Sequence, residues 1–556
     1  MTRDTEKPWY CTLNYDRYED ARREFSWDLP ENYNLADDLL RKHPNPDAPA
    51  LHQAYPDGRR ETYSFEDLDR RSNRLANALE EMGVSRGDRV GVIVPQKPEN
   101  LLAHLACWKL GAVSLPLSVL FGPDALGYRL RDSEARVVVA DESVREVVEE
   151  IESECPDLTE AIVVDGEGET SFESVIDGHS EEYEITESDP ETPAIIMYTS
   201  GSTGPPKGVL HGHGVWVGHC PAFSMYFERD LKGVYWTPAD WAWIGALGDL
   251  VFPALHYGQP VVASPLGKFD PEIAFSLAAE FDVTNAFLPP TAIRMMMGVD
   301  SSEYDLSIDA ICSGGEPLTP EILDWAEEEL DGVPVNELYG QTEANLLVTN
   351  CRGWFPAQAG SMGKPVPGHD VRVVDSETGE ELPTGEVGEI AVRREGDPVV
   401  FTEYWNQPEK TAEATVEGEA QSASKANRNA VSWHLTGDLG YADEEGYLWF
   451  KSRDDDLIIT SGYRVGPREV EEVILDHEAV AQVGVVGVPD ETRGEIVKAF
   501  VQPAVGYEKS DELREEIKEL VRERLAKYEY PREIEFREEL PQTTTGKIRR
   551  KDLVEQ

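Results

Sequence analysis

The stretch Tyr198–Gly208 reads YTSGSTGPPKG and combines three glycines, two prolines and one lysine with several hydroxyl side chains. This composition is typical of a flexible linker, and equally of a loop whose backbone N–H groups surround an anion. The neighbours favour the second interpretation, because the apolar run PAIIMY precedes the loop and VLHGHGVWVGH, expected to be helical, follows it. A linker would not usually separate a buried strand from the next element of its sheet. We therefore predict a phosphate-binding loop in which Lys207 adds positive charge.

Short β-branched runs alternate with amphipathic segments on both sides of this loop. One amphipathic segment begins at Ser64, where Asp67 completes a capping pattern, and ends at Gly83. Apolar runs such as RVGVIVP, AVSLPL, ARVVVAD and VTNAFLP have the length of buried strands. This alternation predicts an α/β fold for most of the chain, built from doubly wound subdomains with a largely buried sheet.

The pattern changes near Lys451. Upstream, PTGEVGEIAVRR and EEGYLWFKSR predict the strands of a small β-rich subdomain, with EGEAQSASKANRNA as a polar surface insertion between them. Downstream, GPREVEEVILDH predicts a helix, whereas VAQVGVVGV, VKAFVQPAV and REIEF predict strands. The last ~100 residues are therefore expected to form a compact α+β domain.

Acidic residues outnumber basic ones by 107 to 51, which gives a formal net charge of −56. Such a field repels phosphate, so nucleic acid and anionic membranes are not expected as general partners. The acids are spread along the whole chain, which indicates solvated faces of folded helices. Concentrated salt would screen their mutual repulsion, so we predict a salt-requiring protein from a halophile, of haloarchaeal type.

The cysteines and the N-terminus bear on the cellular compartment. Six cysteines lie far apart, without a CxxC pair or a ligand spacing, and are predicted to be reduced, buried thiols. The N-terminal sequence MTRDTEKPWY has no apolar signal segment, and no run reaches the ~18 apolar residues of a membrane span. We therefore expect a soluble, cytoplasmic protein without stable membrane association.

Five stretches of the chain resemble the adenylate-forming superfamily, which includes acyl-CoA synthetases, luciferases and the adenylation domains of peptide synthetases. In chain order they are YTSGSTGPPKG, YGQTE, TGD, SRDDDLIITSGYRVGPREVE and LPQTTTGKIRR. WTPADWAWIGALGDL and YEYPREIEF are most similar to short- and medium-chain acyl-CoA synthetases. The resemblance implies a ligase that uses ATP, Mg²⁺ and CoA. A small-molecule carboxylate attacks the α-phosphorus to give an acyl-adenylate and pyrophosphate, and the CoA thiol then displaces AMP.

The resemblance also assigns residues to the adenylation step, which needs cations and hydrogen-bond donors around the developing charge. Thr342 would bond the α-phosphate, and Lys547 would bridge this phosphate and the substrate carboxylate. Glu343 would coordinate Mg²⁺ with help from Thr203. Asp438 would accept hydrogen bonds from the two ribose hydroxyls. The residues expected to contact ATP or AMP are Thr199, Ser200, Gly201, Ser202, Thr203, Gly204, Lys207, Gly315, Glu316, Pro317, Glu337, Leu338, Tyr339, Gly340, Gln341, Thr342, Asp438, Arg453 and Lys547.

The second step requires the thiol to approach from the opposite side. In this family the C-terminal domain rotates about a hinge, and the hinge position in this chain is Asp455. The implied division is an N-terminal domain at 1–452, a hinge at 453–456 and a small mobile α+β domain at 457–556. The residues expected to bind CoA after the rotation are Ser461, Gly462, Tyr463, Arg464, Arg493, Arg522 and Tyr530.

The acyl pocket is expected at Trp241, Trp243, Gly245, Leu247 and Gly340. Large aromatic walls suit an apolar tail. Acetate-specific relatives carry a tryptophan where this chain has Gly340, so this glycine is expected to leave room for a longer acid. Because each buried methylene adds affinity until the tail meets a wall, we expect a tail of roughly three to ten carbons and poor use of acetate.

Other functions stay open at this point. An aryl acid, acetate or a different thiol acceptor would use the same adenylate chemistry. A non-catalytic nucleotide sensor on the same fold is a different class, and the presence of Lys207, Glu343, Asp438, Arg453 and Lys547 argues against it. The motifs leave the oligomeric state open.

Overall fold

The structure is a computed structural model that describes residues 10–199, 205–265, 267–315, 318–420, 429–453, 456, 458–460, 463–490, 494–504, 506–507, 509–525, 529–542 and 548–554. The chain forms two compact units. Unit 1 comprises Met1–Val371, Val392–Thr415 and Val431–His434, and unit 2 comprises Arg372–Ala391, Val416–Ala430 and Leu435–Gln556. Unit 2 thus groups most of the predicted β-rich subdomain with the C-terminal part, whereas a hinge at 453–456 stays a prediction.

One sheet of unit 1 has seven strands and is wound in both directions from its centre. Arg89–Ile93 lies in the middle of its five parallel strands, and later strands are added on either side of it. Five neighbouring strands run parallel. At one edge, two more strands are added, and each of them pairs antiparallel with the strand before it. In spatial order the strands are Glu403–Tyr404, Lys207–Gly212, Pro193–Thr199, Val113–Pro116, Arg89–Ile93, Ala135–Asp141 and Glu160–Val164.

The second sheet of unit 1 has nine strands, six of them parallel. Apolar residues of its central strands pack on the helices that contain Phe275 and Trp325 to form one buried core. Every residue of the strands Val261–Ala263 and Ala310–Gly314 is buried, so both faces of the sheet are covered there, which explains the continuous apolar runs in the sequence. In spatial order the strands are Lys364–Pro365, Ala344–Thr349, Val335–Gln341, Ala310–Gly314, Val283–Phe287, Val234–Trp236, Val261–Ala263, Pro49–Ala54 and Arg60–Ser64.

The predicted helix start at Ser64 is confirmed. The Ser64 hydroxyl accepts the Asp67 backbone N–H, and the Asp67 carboxylate accepts the Ser64 N–H, so two of the free donors at the helix start are satisfied. The helix spans Phe65–Glu81 and is followed by Gly83 in the left-handed region, with φ 82°. The other α-helices of unit 1 are Tyr18–Glu24, Leu35–Arg41, Pro98–Leu110, Pro123–Asp132, Arg145–Ile151, Phe172–Ile176, Val215–Gly218, Cys220–Tyr226, Ile244–Ala246, Phe252–His256, Pro271–Glu280, Pro290–Met296, Pro320–Glu329 and Pro408–Glu413.

The glycine-rich loop lies in a different setting from the one predicted. The residues that follow it do not start a helix: Lys207–Gly212 is a strand antiparallel to Pro193–Thr199, with Thr199 opposite Lys207. A helix first appears at Val215–Gly218. The loop therefore joins two antiparallel strands. The expectation of a helix in VLHGHGVWVGH was wrong for its first part, which pairs with the buried strand, whereas its later residues Val215–Gly218 are helical.

Two further sheets consist mostly of residues of unit 2. The first has Val371–Val374, Gly388–Arg393, Asn429–Ala442 and Thr415–Ala420 in spatial order, and Leu448–Arg453 also pairs with Asn429–Ala442. The second sheet has Tyr463–Val465, Ile458–Thr460, Gly494–Pro503 and Val480–Asp490 in spatial order, and Glu533–Phe536 also pairs with Gly494–Pro503. The helices are Pro467–Leu475, Asp511–Arg524 and Arg550–Val554.

The prediction of a surface insertion in EGEAQSASKANRNA was wrong at its two ends. Thr415–Ala420 and Asn429–Ala442 are strands of the first sheet of unit 2, so these residues extend the sheet. The interior of this stretch, residues 421–428, lies outside the described residues.

The six cysteines are free and buried, which confirms the prediction of reduced thiols. Burial, together with the nearby Asp38 carboxylate, raises the pKa of the Cys11 thiol to about 12, so it is uncharged at neutral pH. Among the helices that the structure describes, none is long and apolar enough to cross a lipid bilayer.

Candidate active site

The hairpin that carries the glycine-rich loop presents Lys207 toward a tyrosine of the next strand. Glu403–Tyr404 pairs with the strand that begins at Lys207, and the Lys207 ammonium lies 4.1 Å from the centre of the Tyr404 ring. At Gly208 an added Cβ would come within 2.9 Å of Ile196, so only glycine permits this close approach of the two strands. The backbone at the base of the loop is thus set by packing.

Thr342 and Glu343 form the two-residue turn between the strands Val335–Gln341 and Ala344–Thr349, where Gln341 lies opposite Ala344. Glu343 is 7% exposed, and the Tyr404 hydroxyl donates a hydrogen bond of 2.7 Å to its Oε1. The Phe401 N–H donates to the Glu343 carbonyl at 2.8 Å. These bonds hold the glutamate and its backbone from a segment about sixty residues away.

A histidine fixes the other half of this turn. His211 Nε2 lies 2.7 Å from the Thr342 carbonyl, so this nitrogen carries the proton and donates it. Burial lowers the pKa of His211 to about 4, which keeps the ring neutral at physiological pH. Lys207, Tyr404, His211, Thr342 and Glu343 therefore form one connected group in unit 1.

Tyr404 and His211 were not predicted as site residues. Tyr404 lies in a strand of two residues, which is too short to show a hydrophobic period, and a tyrosine before a tryptophan is an ordinary core pattern. The glycines beside His211 in HGHG were a weak signal of a close backbone approach. Only the tertiary structure connects these residues with Glu343.

A magnesium ion fits the chemistry of this group. Among the described residues no cluster of three His, Cys, Asp or Glu side chains could hold a metal by itself. Mg²⁺ in nucleotide sites is usually held by one or two carboxylates together with phosphate oxygens and water, so a single glutamate is enough. Tyr404 donates its hydrogen bond to Glu343 Oε1, so Glu343 Oε2 is the oxygen that would coordinate such an ion.

The residues predicted around adenine lie on neighbouring strands. Glu337, Leu338, Tyr339, Gly340 and Gln341 belong to Val335–Gln341, and Gly314 pairs with Leu338 in the adjacent strand. The Glu337 carboxylate accepts the Leu318 N–H at 3.1 Å, which holds Leu318 against the strand Val335–Gln341. Gly315 has φ 90°, a conformation that favours glycine.

The predicted ribose residues lie on adjacent strands of unit 2. Asp438 is opposite Arg453 in the ladder, and the Arg453 Nε lies 3.7 Å from Asp438 Oδ1. The Arg453 side chain is half exposed, whereas that of Asp438 is 9% exposed. The Glu389 carboxylate accepts the Gly437 N–H at 2.8 Å and holds the residue before Asp438.

Two of the predicted CoA residues lie together in unit 2. The Arg522 guanidinium lies 4.3 Å from the centre of the Tyr530 ring and forms an ion pair of 3.0 Å with Glu519. The sequence did not single out Arg532, which donates a hydrogen bond of 3.1 Å to the Tyr530 hydroxyl. Tyr530 thus contacts two guanidinium groups, an arrangement able to attract an anionic ligand.

The predicted acyl-pocket residues lie in unit 1, with Trp241 and Leu247 fully buried. Trp243 contacts Phe121 edge to face, with ring centres 5.9 Å apart. A Cβ added to Gly245 would lie 3.4 Å from the Phe287 ring. The sequence did not single out this phenylalanine as a neighbour of the pocket.

The structure corrects the reason given for Gly340. A Cβ on this residue would lie 2.5 Å from the backbone N of Leu346 and 2.5 Å from the Asn345 side chain. The glycine is therefore required by close packing of its strand on the next one, and its Cβ direction is not open space. The inference that Gly340 makes room for a longer acid stays a prediction.

Several predicted site residues lie outside the described residues, and for Tyr463 and Arg464 only the backbone is described, in a strand paired with Ile458–Thr460. Their roles stay predictions. The residues outside the described ranges are Ser200, Gly201, Ser202, Thr203, Gly204, Glu316, Pro317, Asp455, Ser461, Gly462, Arg493 and Lys547.

Comparisons with known proteins show the family of this chain. A family model described as AMP-binding enzyme matches residues 40–405, and one described as AMP-binding enzyme C-terminal domain matches residues 469–547. The chain is 37% identical over 565 residues to the mitochondrial acyl-coenzyme A synthetase ACSM4 of Mus musculus, covering 98% of this chain and 94% of the relative. It is 35% identical over 565 residues to the acetyl-coenzyme A synthetase of Bacillus subtilis (strain 168), covering 97% and 95%.

A solved structure shows the same fold. The anthranilate CoA ligase AuaEII in complex with anthranoyl-AMP superposes with a TM-score of 0.81 at 29% identity, covering 95% of this chain and 97% of the ligase. The chain therefore belongs to the AMP-binding enzyme family. It is an AMP-forming acyl-CoA ligase, an enzyme that uses ATP, CoA and a small-molecule acid.

Proposed function

We propose that this ligase activates a short- or medium-chain carboxylic acid with ATP and Mg²⁺ and transfers the acyl group to CoA. The observation that carries the proposal is the connected group around Glu343, in which Lys207, Tyr404 and His211 surround the Thr342–Glu343 turn. A reaction between a carboxylate and a polyphosphate needs charge and hydrogen-bond donors in one place. This group supplies the Lys207 cation, the buried Glu343 carboxylate and the hydroxyl of Thr342, whose backbone is held by His211.

In the proposed adenylation step, Lys207 orients the outer phosphates and Thr342 donates a hydrogen bond to the α-phosphate. Lys547 holds the substrate carboxylate next to this phosphate, so that two anions can approach. Glu343 and Thr203 would hold Mg²⁺, which when bound supplies positive charge to the phosphates. Tyr404 keeps the Glu343 carboxylate in one orientation through its hydrogen bond.

In the proposed second step, unit 2 supplies the nucleoside and CoA contacts. Asp438 and Arg453 hold the ribose, and the pair Arg522–Tyr530 contacts the CoA nucleotide. A rotation about Asp455 would bring Gly462 to the thiol path, where a side chain would obstruct the thiol.

The test is ATP–pyrophosphate exchange in concentrated salt, with acids from acetate to decanoate and with benzoate. We expect exchange that depends on the added acid and AMP formation that also requires CoA. If none of the acids in the panel supports exchange, the proposal is contradicted and a nucleotide sensor is favoured.

The two steps should be separable by mutation. Lys547→Ala should abolish pyrophosphate exchange but still allow supplied acyl-adenylate to react with CoA, whereas Gly462→Leu should do the reverse. Loss of both half-reactions in both variants would contradict the assignment of these residues.

Acetate or an aryl acid is the second candidate substrate. The similarity to an acetyl-coenzyme A synthetase and to an anthranilate CoA ligase favours it. The close approach of Phe287 to Gly245 supports a short or flat acid as well. The same acid panel distinguishes these substrates from longer chains by kcat/KM.

We also propose that the enzyme works in a salt-rich cytoplasm, because its net charge is −56. Screening of this charge should stabilise the folded chain. Thermal unfolding in dilute buffer and in molar KCl measures the effect, and a higher Tm in dilute buffer would contradict the proposal.

A further inference from the structure

A buried polar pair lies against both glycines of the predicted acyl pocket. The Asn345 Nδ2 donates a hydrogen bond of 2.6 Å to Asp249 Oδ1. Asp249 belongs to the π-helical turn Leu247–Val251, and Asn345 belongs to the strand that follows the Thr342–Glu343 turn. A π-helical turn is rare and is often found at functional sites.

Each glycine of the pocket contacts one member of this pair. The position of a Cβ on Gly245 is 3.7 Å from Asp249 Oδ2 and 3.4 Å from the Phe287 ring. The position of a Cβ on Gly340 is 2.5 Å from Asn345 Oδ1. Both glycines remain partly accessible, whereas Asp249 and Asn345 are each 3% exposed. The wall beneath the two glycines therefore contains a carboxyl group and an amide where an apolar surface was expected.

Asp249 has no lysine or arginine partner among the residues that the structure describes. A histidine lies beside it: His219 Nδ1 is 3.8 Å from Asp249 Oδ1 and 2.8 Å from the Gly248 carbonyl. Burial lowers the pKa of His219 to about 3, so this ring is neutral. Burial raises the pKa of Asp249 to about 8, and the carboxyl is therefore protonated at neutral pH.

The hydrogen bond from Asn345 determines where this proton lies. Because Oδ1 accepts from the amide, the hydroxyl of the neutral carboxyl group is at Oδ2. Of the two oxygens of this carboxyl group, Oδ2 is the nearer to the position of a Cβ on Gly245, at 3.7 Å, whereas the Phe287 ring lies 3.4 Å from that position. The carboxyl group thus has a donor on the side of the predicted acyl pocket.

We propose that Asp249 determines the acid specificity of this ligase by donating a hydrogen bond from Oδ2 to an oxygen on the acyl chain. The favoured substrates are then short acids with a keto or hydroxyl oxygen. This inference rests on the proposed function, because it assigns the acyl pocket to Gly245 and Gly340. An unsubstituted alkyl tail of equal length leaves the buried donor without a partner, so a preference of about tenfold for the oxygenated acid is expected.

The experiment compares acids matched in chain length by ATP–pyrophosphate exchange. Butanoate is paired with 3-hydroxybutanoate, and pentanoate with 4-oxopentanoate. The wild-type enzyme should show a kcat/KM about tenfold higher for at least one oxygenated acid than for its alkyl partner. Asp249→Leu should remove that preference by lowering the rate with the oxygenated acid while sparing the alkyl acid. Asp249→Asn, which retains an N–H donor, should keep it.

A matched control separates specificity from local packing. Tyr226 donates a hydrogen bond of 2.6 Å to the Asp249 carbonyl, so Tyr226→Phe perturbs the same turn without changing the carboxyl group. This variant should keep the wild-type preference even if its Tm falls.

The outcomes distinguish this inference from the proposed function. If no acid supports exchange, the proposed function fails, and the inference fails with it. If acids are activated but the wild-type enzyme has no preference within either pair, the inference alone is overturned, a result that requires no variant to fold. If Asp249→Leu lowers kcat/KM equally for both acids of a pair, the inference is likewise overturned, and Asp249 has only a structural role.

Discussion

Glu343 in unit 1 and Asp438 in unit 2 are equally buried, each 7% exposed as a whole residue, yet they are held in different ways. The Glu343 carboxylate accepts a hydrogen bond of 2.7 Å from the Tyr404 hydroxyl, and its turn is held by segments that are distant in sequence. Asp438 has a cross-strand cation 3.7 Å away, on a half-exposed side chain. Two equally buried carboxylates are thus held in place to different degrees. The first carboxylate is oriented by a neutral donor, the Tyr404 hydroxyl, which makes it ready for a cation, whereas the second stands beside a cation that a ligand can rearrange.

The largest effect is expected when the carboxylate of Glu343 is removed. Glu343→Gln keeps the shape but loses the charge, and we expect pyrophosphate exchange to fall by about 10²- to 10³-fold. The reaction of supplied acyl-adenylate with CoA should change little, because that step has no pyrophosphate leaving group. Equal loss of both half-reactions would mean that Glu343 serves the fold and not the phosphates.

A smaller effect, mainly on ATP binding, is expected at Asp438. Asp438→Asn replaces an ionic acceptor of the ribose hydroxyls by a weaker one, so KM for ATP should rise by about 10- to 100-fold. Asp443→Asn is the control on the same hairpin, since Asp443 accepts the Glu445 and Tyr447 N–H groups of the turn at 2.9 and 3.0 Å. It should lower the Tm and leave KM unchanged, and an equal rise of KM in both variants would contradict the ribose assignment.

Tyr404→Phe tests whether Glu343 is oriented in advance. The ring under Lys207 remains, but the hydrogen bond to Glu343 is lost, so we expect about tenfold slower exchange and a higher Mg²⁺ requirement. ATP binding followed by calorimetry at increasing Mg²⁺ gives a readout independent of turnover. Tyr235→Phe is the control, because the buried Tyr235 hydroxyl has no hydrogen-bond partner within the described part of the chain. If both variants behave identically, the Tyr404 hydrogen bond does not orient Glu343 in advance, and the contrast drawn between Glu343 and Asp438 fails.

The smallest effect concerns the pH dependence of unit 1, which contains ten of the eleven histidines. Burial lowers the pKa of His104 to about 3, so below about pH 6.5 the unfolded chain binds a proton that the folded chain excludes. Stability should therefore fall as the pH drops from 6.5 toward 3, by up to ~1.4 kcal/mol per pH unit for this residue.

His104→Leu should reduce this slope. Neither ring nitrogen of His104 has a hydrogen-bond partner among the described residues, so an apolar side chain removes no bond. Urea unfolding at pH 5.5 and pH 8 measures the difference, with the pH 8 value isolating the change in packing. An unchanged slope would show that His104 does not stay neutral in the folded state.

The elements of the fold were largely predictable, because local rules act on local sequence. The capping pair Ser64 and Asp67 and the apolar strand runs appear in the structure as expected. The strand that begins at Lys207 was missed, because its partner strand and not its propensity decides its conformation. The same reason explains Gly340, whose neighbours Asn345 and Leu346 approach only when two strands pair.

The sequence by itself determined the family, the order of its motifs and the type of most strands and helices, since these depend on residue identity and short-range pattern. The tertiary structure alone decided which side chains meet. Tyr404 reaches Glu343, and Asn345 reaches Asp249, across separations of 61 and 96 residues. Such contacts arise from the packing of distant elements and leave no period in the sequence. The glycine-rich loop marked the class of enzyme, whereas the orientation of its carboxylates and the polarity of its acyl pocket follow from that packing.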